Sequence, residues 1–324
     1  MKTSKQIQED FESYLQSLDY SRKPDELYAP IRYVLSLGGK RIRPTFLIMA
    51  YNMYADDIES VFSTAAGMEI FHNFTLLHDD LMDRADMRRG KPTVHKKWND
   101  NTAILSGDGM LVLAYRYLAL TKSQYLKRTL DLANETFTGI MEGQQYDMEF
   151  ETRNDVTEQE YIEMIRLKTS VLLAACVEMG AVLGGACDAD ARLLYEFGEK
   201  IGIAFQLQDD LLDVYGDPAV FGKKIGGDIL CNKKTYLYIN TYRLADKEQR
   251  EALDRWAVYD GNDPDSKIAG VRAIYDAVGV KGMSEKLIGS LFDEAMAKLD
   301  KVNLPAEKKG LLKDYAGSLL NRVL

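Results

Sequence analysis

The chain has 324 residues, 46% of them hydrophobic, which is enough apolar material for a substantial core. A formal net charge of −9 and a pI near 5.1 argue against a general nucleic-acid binder. Cys176, Cys187 and Cys231 show no CxxC spacing, the first residues lack an apolar signal core, and no apolar run is expected to reach membrane-span length, so a reducing cytoplasm is expected.

In chain order, the first basic cluster is Gly38-Gly39-Lys40-Arg41-Ile42-Arg43-Pro44. Its glycines read as a helix end whose cations complement the helix dipole. Lys40 and Arg43 can then point at a phosphate, whereas Arg41 reads as structural or exposed. Next, Val61, Ala65, Met68, Phe71 or His72, and Thr75 recur at helical spacing. That helix runs into LLHDDLMDRADMRRGKPTVH, Leu76 to His95. Asp79 and Asp83 are i and i+4, so they share a helix face about one 5.4 Å turn apart. Like charges so placed repel. They make sense beside a hard divalent cation such as Mg²⁺, which takes a few carboxylates and completes its shell with water and phosphate oxygens. Arg88 and Arg89 supply planar forks for those phosphates.

Helical periodicity continues through Leu105–Leu120, Tyr161–Leu183 and Leu193–Val214, with no alternation that would mark strands. The architecture is expected to be all-α. The acidic pattern returns as FQLQDDLLD, giving Asp209, Asp210 and Asp213, followed by Lys223, Lys224, Lys233 and Lys234 in a Gly-rich run. One DDxxD is usually a solvated face; two on apolar helical backgrounds, each followed by cations, make coincidence a poor explanation. Length alone suggests two domains. The pieces of one site, however, are spread from Lys40 to Lys233 and must converge, so residues 1–324 are expected to form a single domain. Glu69-x-x-His72 could be half of a di-iron site, but neither His78 nor His95 supplies the second ExxH.

These residues resemble the polyprenyl synthetase family, the trans-isoprenyl diphosphate synthases that include farnesyl and geranylgeranyl diphosphate synthases. The resemblance is carried in order by Gly38–Pro44, Glu69–Asp83, Arg88–His95, Ser106–Asp108, Gly143–Met148, Lys168–Ser170, Phe205–Asp213 and the GKKIGGD…NKKT segment. Tyr236 and Leu237 stand where the family often continues with Leu-Pro. The resemblance implies a many-helix bundle around a central cavity and 1′-4 condensation of isopentenyl diphosphate onto an allylic diphosphate. It implies Mg²⁺, three ions in the family, held by Asp79, Asp83 and Asp209, with Asp80, Asp210 and Asp213 as direct or outer support. Arg88, Lys168, Thr169, Gln206, Lys223 and Lys233 are assigned to the allylic diphosphate, and Lys40, Arg43, His72 and Arg89 to isopentenyl diphosphate. Asp79, Asp83, Asp209, Lys168 and Arg88 form the expected catalytic set. A homodimer acting on small prenyl diphosphates is expected.

Chain length is read from Phe71, Phe74 and Thr75, in the turns before Asp79. Thr75 lies on nearly the Asp79 face and Phe71 one turn further down. Phe74 is rotated away on an ideal helix, although the family's short-chain members carry an aromatic there. This pattern resembles the archaeal geranylgeranyl type and favours a C20 product over the C15 of a farnesyl synthase. A class I terpene cyclase would carry a different second metal motif and no GGKRIRP. A non-catalytic subunit of a heteromeric synthase would have lost an acidic motif.

Overall fold

The computed structural model describes residues 2–217, 225–259, 261 and 263–320, so Lys223 lies outside the described residues. It is helical almost throughout, and the chain divides into two compact units. The first unit is Met1–Asn134 with Cys176–Ala191; the second is Glu135–Ala175 with Arg192–Leu324.

In the first unit, helix α1 (Ser4–Ser17) begins with a capping box between Thr3 and Gln6 and buries Ile7, Phe11 and Leu15 at four-residue spacing. Helices α2 (Asp25–Ser36) and α3 (Ile42–Asn52) flank the Gly38–Gly39 turn, where φ is 73° and 145°. Glycine tolerates both values. Helix α4 (Phe62–Met82) is buried over most of its length. It lies close to α6 (Asp100–Leu118): a Cβ on Gly67 would stand 2.8 Å from Leu118 Cγ, and one on Gly107 would meet the His78 ring at 2.1 Å. Between α4 and α6 the chain forms the short helix α5 (Val94–Lys97) and, before it, a hairpin that the sequence reading missed. Met87–Arg88 pairs with Lys91–Pro92. Arg89 and Gly90 have φ of 52° and 72°, the two positive values of a type I′ turn. With strands of two residues and Arg-Gly in place of Asn-Gly, it leaves no alternation to detect.

The second unit takes most of α7 (Ser123–Thr152) and of α10 (Asp188–Tyr215). Helix α8 (Glu158–Ile165) runs through a π-helical turn, Arg166–Ser170, into α9 (Val171–Gly184). The stretch Glu158–Gly184 corrects one expectation. Its best 18-residue window has a mean hydropathy of 1.5, so it is long and apolar enough to cross a membrane, but 72% of that window is buried within the protein. Shorter helices follow from Gly227 to Leu320. Leu207, Leu211, Leu237, Tyr275 and Val280 join one apolar core that ties them to α10. The helix Tyr236–Leu244 starts cleanly without Leu-Pro, because the Thr235 hydroxyl accepts the Tyr238 N–H.

Candidate active site

In the first unit the cations of GGKRIRP divide by function. Arg41 points inward: it donates to Glu69 at 2.7 Å, to Glu12 at 2.8 Å and to the Leu35 carbonyl at 3.1 Å. Glu69 also accepts from Asn73 at 3.0 Å, so the acid of ExxH serves a buried network. Arg43 Nη1 lies 3.2 Å from His72 Nε2. A guanidinium can only donate, so Nε2 accepts and the imidazole carries its proton on Nδ1. Burial, then the guanidiniums of Arg43, Arg89, Arg88 and Arg41, hold the His72 pKa well below the ordinary histidine value. Arg89, in the turn of the hairpin, donates to the Gly38 carbonyl. Its guanidinium occupies the space over Gly39, where a Cβ would sit 2.8 Å from Nη2. Arg89 is thereby anchored on the turn that precedes Lys40, and the exposed Lys40 follows directly.

The first acidic motif splits in the same manner. Asp80 is 5% exposed and is gripped by Arg88, with Nε at 2.8 and 2.9 Å and Nη2 at 2.7 Å. Asp79 stands 4.0 Å from the same Nη2 and is half-buried, while Asp83 at the end of α4 is exposed. Asp80 thus fixes Arg88, and Asp79 and Asp83 are more open to a cation. Lower on α4, Phe71 and Phe74 are buried with ring centroids 5.5 Å apart, and Phe74 lies 4.7 Å from His78. The Thr75 hydroxyl donates back to the His72 carbonyl at 2.8 Å.

In the second unit a cavity of about 110 Å³ gathers the described residues assigned there to the allylic diphosphate: Lys168, Thr169, Gln206 and Lys233. Lys168 and Thr169 lie on the π-helical turn, a local widening found often at functional sites. Gly143 makes room for that turn: a Cβ there would stand 2.4 Å from the Lys168 backbone nitrogen. One helical turn further, Asp147 accepts from Lys168 Nζ at 2.6 Å. Thr169 donates to Gln206 Oε1 at 3.1 Å, and Gln206 Nε2 donates to Asp210 at 3.0 Å.

Asp210 repeats the behaviour of Asp80. It is 5% exposed, takes the Tyr161 hydroxyl as a second donor, and burial followed by the nearby Asp228 pushes its pKa up to about 8. Asp209 is half-buried beside it, and Asp213 accepts the Asp228 N–H at 3.0 Å. Lys234, one of the cations that follow the second motif, also lines this cavity, whereas sequence reasoning missed Tyr161 and Asp228. The signal for Tyr161 was its place seven residues before Lys168 in a stretch of unbroken apolar periodicity.

The exposed and half-buried acids offer hard oxygen donors, the set that suits Mg²⁺. Among the described residues no three acidic, histidine or cysteine side chains are gathered as a ready-made cage. Mg²⁺ does not require one, since it binds through one or two carboxylates and fills its shell with water and substrate phosphate. Asp79, Asp83 and Asp209 therefore fit the ion chemically.

A helical chain with paired aspartate motifs and separate clusters of cations has the make-up of a prenyltransferase of the isoprenoid-synthase fold. The family model described as polyprenyl synthetase matches residues 24–277, and the chain belongs to that family. It is 41% identical to the geranylgeranyl diphosphate synthase of Methanosarcina mazei, over 93% of this chain and 91% of that protein. It is 36% identical to the geranylfarnesyl diphosphate synthase of Natronomonas pharaonis, over 93% and 91%. A solved geranylgeranyl pyrophosphate synthase superposes with a TM-score of 0.95 at 39% identity, covering 99% of both chains.

Proposed function

We propose that this prenyltransferase condenses isopentenyl diphosphate with allylic diphosphates head-to-tail and releases a C20 product, geranylgeranyl diphosphate. The observation that carries the reading is the cavity lined by Lys168, Thr169, Gln206, Lys233 and the buried Asp210. Such a cradle, with two lysines and a hydroxyl, suits a diphosphate. Similarity to the Methanosarcina enzyme supports the C20 product. A geranylfarnesyl product is the second reading, favoured by the similarity to the Natronomonas protein.

Lys168, Lys233 and Arg88 hold the allylic diphosphate and stabilise the charge that it gains as the C–O bond breaks. Lys223 is assigned the same role. Arg43, His72, Arg89 and Lys40 hold isopentenyl diphosphate so that its double bond meets the allylic carbon, and water is kept from the cation. Mg²⁺, three ions by family resemblance, would be held by Asp79, Asp83 and Asp209 and would supply further neutralisation of the leaving diphosphate. Asp80 and Asp210 orient the binding side chains, and Asp213 orders the turn at Asp228. No protein base is needed, because the departing diphosphate can take the proton.

We also infer that residues 1–324 work as a single catalytic domain in a cytoplasmic homodimer. The unbroken family match over residues 24–277 supports the first point. An apolar stripe on α6, Ile104, Leu105 and Val112, supports the dimer.

The test is diphosphate release with both substrates and Mg²⁺, compared with allylic diphosphate alone, followed by chromatography of the dephosphorylated alcohol. Condensation requires both substrates. Release from the allylic substrate alone would indicate a cyclase and overturn the reading. Asp79→Ala and Asp209→Ala should each lower kcat by several orders of magnitude. Near-normal turnover in both would remove the proposed metal clamp.

A further inference from the structure

Lys267, on the helix Pro264–Val278, is 5% exposed, and the mechanism above makes no use of it. Buried lysines are rare unless the ammonium is satisfied. Its Nζ donates to Asn232 Oδ1 at 2.9 Å and approaches the Leu230 carbonyl at 3.5 Å. Both acceptors are neutral oxygens that close the end of one short helix, Gly227–Leu230.

That helix ends in a Schellman motif. Asn232 has φ 53°, its N–H donates to the Ile229 carbonyl at 3.1 Å, and the Lys233 N–H donates to the Asp228 carbonyl at 2.9 Å. The Asn232 amide also donates to the Ala257 carbonyl at 3.0 Å, so one side chain ties the turn to two neighbouring helices. At the opposite end, the Asp228 N–H is held by Asp213. Asp228, Lys233, Lys234 and Thr235 of this turn line the cavity that holds Lys168 and Gln206. The turn is therefore fixed at one end by the second acidic motif and at the other by Lys267.

We propose that Lys267 is a positioning residue, which clamps the Asn232 turn so that Lys233 and Lys234 face the allylic diphosphate. The inference rests on the reading of that cavity as the allylic site. Lys267 does not line the cavity, so its effect passes through Asn232 and the backbone of the turn.

The experiment compares full-length wild type, Lys267→Met and Lys267→Arg by steady-state kinetics for each substrate, calorimetric binding of inorganic diphosphate, and thermal unfolding. Lys267→Met should raise the KM for the allylic substrate roughly tenfold and weaken inorganic diphosphate to a similar degree. The KM for isopentenyl diphosphate should stay near the wild-type value. Lys267→Arg, which keeps a cation within reach of both oxygens, should restore most of the loss. Should Lys267→Met fail to fold, Asn232→Gly removes the clamped amide while keeping a residue suited to positive φ, and should give the same selective effect. A lowered Tm with both KM values unchanged, or an equal rise in both, overturns the proposal. If wild type does not condense the substrates, the functional reading fails by itself. The positioning role is then judged by inorganic diphosphate, and equal binding by wild type and Lys267→Met overturns it.

Discussion

At the scale of single residues, burial separates side chains that the sequence presents as equals. Asp80 and Asp210 are the second aspartates of their motifs, and both are buried against protein donors, Arg88 in one case and Tyr161 with Gln206 in the other. Arg41 and Arg43 are two residues apart, yet the first closes a buried network with Glu12 and Glu69 and the second meets His72. The His72 environment has a measurable consequence. Its folded pKa lies well below 6.5, while in the unfolded chain it returns to about 6.5. Between those values the unfolded chain binds the proton and the folded chain does not. The stability that His72 contributes is therefore complete above pH 6.5 and is lost as pH falls below it, with a limiting slope of about 1.4 kcal/mol per pH unit. Denaturant unfolding from pH 7.5 down to pH 5 should fall less steeply in His72→Gln than in wild type. Parallel curves would mean that His72 is not held neutral.

At the scale of elements, close helix approach sets the second-unit cavity, and Gly143 tests it. In an open helix, Gly→Ala gains about 1 kcal/mol in propensity. Here the new methyl would stand 2.4 Å from backbone at Lys168, which cannot yield as a flexible side chain could. Overpacking costs about 1–3 kcal/mol. Gly143→Ala should therefore lower Tm and impair use of the allylic substrate, and a raised Tm with normal kinetics would refute the constraint. Helix α4 carries the product-length expectation. Phe71 and Phe74 are both buried with their rings close together, so removing either ring opens space beside α4. Phe74→Ala or Phe71→Ala should lengthen the product and Thr75→Phe shorten it, read as prenyl alcohols. An unchanged distribution in all three places the floor on another helix. These elements also show what the sequence could convey. The acidic motifs were legible because charges stood out on apolar helical backgrounds, as were α4, α6 and α10. The π-helical turn at Lys168 was not, since apolar periodicity runs smoothly through Tyr161–Leu183. The hairpin was too short to show alternation, and the roles of Tyr161 and Lys267 depend on partners 49 and 35 residues away.

At the scale of the whole molecule, the expectation that remains is self-association. Helix α6 packs one face on α4, yet Ile104, Leu105 and Val112 are 46%, 59% and 63% exposed. Leu105 and Val112 are seven residues apart and Ile104 and Val112 eight, so all three share one side of the helix. Single exposed apolar residues are ordinary, but a stripe of aliphatic side chains on one helix is a surface that another chain can cover. The occupant proposed is a second copy, because a two-fold interface would set the same stripe against itself. A stable interface of this kind buries about 800 Å² per partner, so the α6 stripe would be its centre rather than its whole. Charge introduced at that centre should act strongly, since a carboxylate buried without a partner costs several kcal/mol. Leu105→Glu combined with Val112→Glu should convert a dimer into a monomer in sedimentation velocity at micromolar concentration. Far-ultraviolet circular dichroism should be unchanged, because both side chains already face outward. A monomeric wild type, or a double variant that sediments as the wild-type dimer does, would rule out α6 as the contact.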